Sequence, residues 1–153
     1  MPSRVGNEAT LKFMQGDLNL REAGDDIRMM LVMSNSSVFT ENDGIVNLAD
    51  FTTLDEMDGA NYVEPKILAN QTVVKDDPND RTEFSADPVT WTALGDGTRQ
   101  VRGIVLYKHI DGTDANDEWL ASLQFTTDQS PGGSDFTITP NSEGLIQLRS
   151  ITT

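Results

Sequence analysis

Apolar and polar residues alternate along this chain in short runs broken by turn residues, a rhythm that predicts β-strands. The stretch from Ala86 to Ile110 shows it most fully. In the run Asp87–Leu94, Val89 and Trp91 fall on one face and Thr90 and Thr92 on the other, because side chains alternate along a strand. A turn at Gly95-Asp96-Gly97-Thr98 then separates this run from Arg99–His109, and the pattern predicts a β-hairpin. The second run ends in the apolar block Ile104-Val105-Leu106-Tyr107, which predicts a strand covered on both faces.

The same reading places further strands along the chain. Asp17–Leu20 alternates briefly. Ile27–Met33 is a strongly apolar run, read as a central strand whose three methionines fill the core rather than form a soft binding surface. Tyr62–Leu68 is interrupted by Pro65, which lacks an N–H for a ladder and so predicts an edge strand or a bulge. Gln71–Lys75 and Arg81–Ser85 flank the acidic turn Asp76–Asp80. Trp119–Phe125, with Trp119, Ala121, Leu123 and Phe125 on one side, precedes a loop over Thr126–Ser134. Phe136–Thr139 and Gly144–Ile151 complete the set. One short helix is predicted over Glu8–Gln15, with Ala9 and Phe13 four apart, Leu11 and Met14 three apart, and Gly16 placed to end it. Ser34 to Asp58 is the least regular part. Asn42-Asp43-Gly44 marks a turn there, and Leu48, Phe51 and Leu54 recur every three residues. An excursion of this length is either functional or packed on a neighbour, so it is the first candidate for a recognition surface.

Eight or nine short strands with turns between them predict an all-β fold: an antiparallel β-sandwich or jelly-roll, with a short N-terminal helix and one long loop excursion. At 153 residues the expectation is a flexible N-terminal arm, residues 1–7, and a single β-sandwich domain, residues 8–153. A domain of this size needs no covalent staple, and the absence of cysteine excludes disulfides and thiolate metal sites. No run of apolar residues is long enough to span a bilayer as a helix. No basic segment followed by an apolar one opens the chain, so no secretory signal is expected.

Charge narrows the partners. Eleven basic residues stand against 25 acidic ones, for a formal net charge of −14. Phosphate backbones and anionic lipid surfaces repel such a chain, so neither nucleic acid nor membrane is an expected partner. The plain reading of the acidity is solubility, with many copies kept apart before assembly. A saline environment is the sharper reading, since salt would screen the repulsion.

Candidate chemistry is sparse. His109 is the single histidine, and no Gly-x-Ser-x-Gly elbow accompanies it, so a structural or surface role is expected. The adjacent acids Asp25-Asp26, Asp55-Glu56, Asp76-Asp77 and Asp117-Glu118 sit in polar turns, where solvation explains them better than acid–base work. The acidic loops Asp76–Asp80 and Asp111–Glu118 contain oxygen ligands of the kind calcium takes, but Asp114-x-Asn116-x-Glu118 lacks the glycine and the distal glutamate of an EF-hand. No phosphate-cradling loop occurs. Trp91, Trp119, Tyr62 and Tyr107 are read as core residues with hydrogen-bonded polar tips rather than a sugar-stacking platform. No catalytic, cofactor-binding or metal-ligating residue is assigned, and no cofactor is expected.

Several segments, in order and spacing, resemble a family of small tailed-bacteriophage virion proteins. They are Gly16–Leu20 followed by Ile27–Val32; Phe84–Ala93; Arg102–Lys108; and Phe136–Ile146. The resemblance covers most of the chain from Gly16 onward and rests on β signatures rather than catalytic motifs. It implies a β-sandwich or jelly-roll assembled in oligomers on a shell, in the manner of a capsid decoration or cement protein. The implied partners are the major capsid protein and further copies of the chain, as a homotrimer or other homo-oligomer. The implied location is the capsid exterior of the virion, after synthesis in the host cytoplasm. The alternative expectation is a tail or fibre module that recognises host-surface glycans; a small hydrolase ranks third for want of any motif.

Overall fold

The computed structural model describes residues 3–149. It is an all-β arrangement of antiparallel strands with one α-helix. The strands are β1 (Arg4–Val5), β2 (Ile27–Met33), β3 (Lys66–Ile67), β4 (Thr72–Asp76), β5 (Arg81–Ser85), β6 (Val89–Leu94), β7 (Val101–Lys108), β8 (Glu118–Gln129), β9 (Ser134–Ile138) and β10 (Ile146–Arg149). Helix α1 spans Asn7–Gln15 and ends at Gly16, whose left-handed backbone (φ 81°) closes the last turn onto the carbonyls of Lys12 and Phe13. The expected C-terminal strand extends in part beyond the described residues.

A five-stranded sheet in the order β1-β8-β7-β2-β3 forms the centre. Of its three inner strands, β2 and β7 carry apolar residues on both faces, as the run Ile104–Tyr107 predicts for β7. Ile27, Met29, Leu31, Met33, Ile104 and Leu106 join one core cluster. Met30, Val32, Val105 and Tyr107 join a second. The first cluster is completed by the inner faces of a three-stranded sheet, β10-β5-β4, and a two-stranded one, β6-β9. The second is completed by the excursion from Ser34 to Asp58, which lays Val38, Phe39, Ile45, Leu48 and Phe51 onto the sheet. That excursion therefore packs on its own sheet, and its apolar recurrence is core patterning. Phe51 meets the Trp119 ring edge-on at 5.0 Å between centroids.

Three sequence expectations change. The hairpin at Gly95-Asp96-Gly97 does not form: β6 pairs with β9, whereas β7 pairs with β2 and β8. The turn bonds sideways instead. Gly95 donates its N–H to the Ala60 carbonyl at 2.7 Å, and the Thr98 N–H and hydroxyl both reach the Asp58 carboxylate at 2.8 Å. A Cβ on Gly97 would stand 2.7 Å from both Asp58 Oδ1 and Met33 Sδ, so a side chain there would have to displace one or both. Second, Trp119 does not share a face with Ala121. Leu106 pairs with Ala121 and Tyr107 with Trp119, so Leu120 is an extra residue on β8. This bulge moves Trp119 into the second cluster while Leu120 and Ala121 stay in the first. Third, β8 continues to Gln129 through the expected Thr126–Ser134 loop.

Two smaller differences follow the same logic. Leu18 and Leu20 are buried, but Asp17–Leu20 forms no strand, because its polar groups close a local turn. Asn19 N–H bonds Asp25 Oδ2 at 2.7 Å, and Asp25 N–H bonds the Asn19 carbonyl at 2.8 Å. Within the expected N-terminal arm, Arg4 and Val5 pair with Ser122 and Ala121 at the edge of the central sheet. Pro65 does stand at an edge, with β3 beyond it confined to two residues beside β2.

Candidate contact surface

The surface nearest to a recognition site is the outer side of the excursion, built over the second core cluster. Its apolar residues point into the sheet, so the residues left facing solvent are mostly polar, and its carboxylates are turned onto its own backbone. Glu41 accepts the Thr52 hydroxyl at 2.6 Å, the Thr52 N–H at 2.9 Å and the Ser37 hydroxyl at 2.8 Å. Asp50 accepts the N–H groups of Asn47 at 2.8 Å and Val46 at 2.9 Å. Asp55 pairs with Arg99, whose Nε lies 3.1 Å away, and takes the Asn35 N–H at 2.8 Å. These bonds favour the charged form, and each of these carboxyls is held below its ordinary range. Asp58 is lowered in the same way by the Thr98 N–H and hydroxyl.

At one end of this face lies the loop after β7. Asp117 is buried, and its Oδ1 accepts the N–H groups of Ile110 at 2.7 Å, Asp111 at 3.2 Å and Gly112 at 3.4 Å. Its Oδ2 lies 3.2 Å from His109 Nδ1. His109 is thereby the side-chain partner of a loop-closing carboxylate, and no serine hydroxyl bonds it among the described residues. Asp111 repeats the arrangement, accepting the Thr113 hydroxyl and N–H and the Asn116 amide, and its carboxyl is lowered. Asp111 and Asp117, two of the carboxylates in the loop read as a source of cation ligands, thus bond groups of that same loop. Among the described residues no three His, Cys, Asp or Glu side chains are grouped to hold a metal.

Two carboxyls run the other way. Burial raises Glu56, against the opposing effect of the Tyr62 hydroxyl it accepts at 3.0 Å, and Asp114 adds repulsion. Burial also raises Asp114, helped by the charge of Asp117. Glu56 sits in the excursion and Asp114 in the β7–β8 loop, and the two segments are tied by the Ala49 N–H to the Asp114 carbonyl at 2.9 Å. The sequence marks Glu56 only as half of an acidic pair and Asp114 only as a possible cation ligand; their burial was not legible, because burial inside a polar loop leaves no periodic signal.

The four tryptophan and tyrosine residues lie in or against the core. Trp91 and Trp119 are buried, with the Trp119 indole N–H bonded to Ser122 Oγ at 3.0 Å and Trp91 Nε1 to the Glu64 carbonyl at 3.3 Å. Tyr107 is buried, and the Tyr62 ring stacks on Trp91 at 6.0 Å. An open groove of about 530 Å³ runs between the end of β8 and β9. Phe125, Thr126, Thr127, Phe136, Thr137 and Ile138 line it, and no titratable side chain does. The arrangement offers contact area and main-chain groups rather than a positioned acid, base or nucleophile. Compared with known protein families, characterised proteins and solved structures, the chain matches none.

Proposed function

We propose that this chain is a tailed-bacteriophage virion protein of the capsid decoration kind, a β-sandwich related to jelly rolls that binds the outside of the major capsid shell. The observation that carries the reading is how the carboxylates are used. Glu41, Asp50, Asp55, Asp58, Asp111 and Asp117 are engaged in caps, ion pairs and loop closure, which supports a reading of the molecule as an acidic body whose work is contact. The β segments from Gly16 to Ile146 that resemble small phage virion proteins support the same reading. A decoration protein binds the assembled shell and not its free subunits, and so stabilises the shell by mass action. A symmetric shell site repeats one patch around an axis, which favours a homo-oligomer, a homotrimer at a three-fold. The partners are then the major capsid protein and other copies of the chain, on the virion exterior.

The tail or fibre reading keeps one observation in its favour: the groove floored by Phe125 and Phe136, whose rings lie 6.3 Å apart, has the apolar and hydroxyl character of a sugar site. Copy number per virion separates the two. Decoration requires roughly hundreds of copies, one set per repeated shell site, and a tail part only a few tens at most. Removal of the protein should lower the temperature at which particles release their genome. Loss of adsorption with unchanged heat resistance would favour the tail reading instead.

A further inference from the structure

The edge of the three-stranded sheet is open at β4. Sheet edges are usually kept from pairing by shortness, proline or charge. At the ends of the central sheet, β1 and β3 have two residues each, and Pro65 precedes β3. Strand β4 is longer, with five residues and no proline, and its one lysine, Lys75, is paired with Asp77 at 2.9 Å. It pairs with β5 in unbroken register from Thr72 opposite Ser85 to Asp76 opposite Arg81. Among the described residues its other side has no strand neighbour. Val73 and Val74 are 44% and 54% exposed, and Leu148, on the same face as Val73, is 37% exposed.

We infer that this edge pairs with the same edge of a second copy, across a two-fold axis at Val74. Two copies related by a two-fold axis perpendicular to the sheet run antiparallel, and side chains directly opposite must share a face. Only registers centred on a residue satisfy this. Centred on Val74, the pairing sets Val74 against the partner's Val74, Val73 against the partner's Lys75 and Thr72 against the partner's Asp76. All five residues of β4 are used, and no like charges meet. Centring on Lys75 would place two ammonium groups opposite each other, a destabilising pair. Centring on Val73 would use only three residues of the strand. The sequence Thr-Val-Val-Lys-Asp is therefore self-complementary in one register, and β-branched pairs are the ones sheets favour. The product is a continuous six-stranded sheet. The contact is small, so association is concentration-dependent, and salt strengthens it by screening two bodies of charge −14. This contact goes beyond the shell reading and holds whether or not the chain coats a capsid.

Sedimentation equilibrium of the full chain, up to roughly millimolar concentration and at low and high salt, reads the association directly. The expected result is a monomer–dimer equilibrium that shifts toward dimer with salt. Val74→Asp, which sets two carboxylates opposite each other, should weaken it by about tenfold or more. Val63→Asp, at a site 84% exposed and away from the edge, should not. Because the chain has no cysteine, Val74→Cys introduces a single thiol beside its own copy. On oxidation it should form a covalent dimer far faster than Val63→Cys. A wild-type chain that stays monomeric throughout, a Val74→Asp variant that associates like wild type, or equal cross-linking of the two cysteine variants would overturn the inference.

Discussion

Ser122 shows what a single atom holds in this fold. Its hydroxyl is fully buried and is the acceptor for the Trp119 indole N–H. Ser122→Ala removes that acceptor and leaves a buried donor unmade, so it should cost about 1–3 kcal/mol in urea unfolding with the fold retained. Glu56 gives the opposite outcome. Its folded pKa is raised by burial, so its stabilising contribution is present below the ordinary glutamate range and is lost as pH rises through the folded value. At neutral pH it is a liability. Glu56→Gln keeps an acceptor for the Tyr62 hydroxyl without the charge, and should raise Tm at neutral pH by about 2–4 °C for a chain of this size. The gain should close in acid, as wild-type Glu56 takes up its proton. Residue-level roles were legible in part. The core position of Trp91 follows from alternation, and that of Tyr107 from the continuous apolar block it closes. The Ser122–Trp119 bond did not follow, because the Leu120 bulge puts those two on one face.

The excursion from Ser34 to Asp58 decides how the second core cluster is covered. Glu41, Asp50, Asp55 and Asp58 tie it down, and all four have depressed pKa values in the fold. A depressed carboxyl contributes stability above its ordinary pKa and loses that contribution as pH falls through the folded value. Amide hydrogen exchange should therefore show the 34–58 segment losing protection in acid before β2 and β7 do. Equal protection of both down to global unfolding would refute the assignment. Strand positions were the most legible part of the chain: β2, β5, β6, β7 and β9 fall within a residue or two of the pattern. Strand pairing was not. Turn residues at Gly95-Asp96-Gly97 satisfy local hairpin chemistry, but the bonds from Gly95 to Ala60 and from Thr98 to Asp58 are long-range and leave no trace in the local pattern.

For the whole molecule, antiparallel all-β architecture was legible from turn spacing, and the strong acidity from composition alone. The covering of one face by a long irregular segment was not legible, since its apolar residues follow no strand or helix period over a useful length. The resulting body is densely packed inside and carries a net charge of −14, which fits the proposed role of a brace held on a larger assembly by contact. On that proposal, purified protein added back to particles lacking it should restore their heat resistance, and it should bind assembled shells but not free major capsid subunits. The proposed role is tested most directly by an electron cryomicroscopy map of phage particles purified from cells that make this chain. The expected result is density for the three antiparallel sheets on the outer surface of the head, repeated at junctions between major capsid subunits. Density for the chain confined to the tail, or absent from the particle, would contradict it.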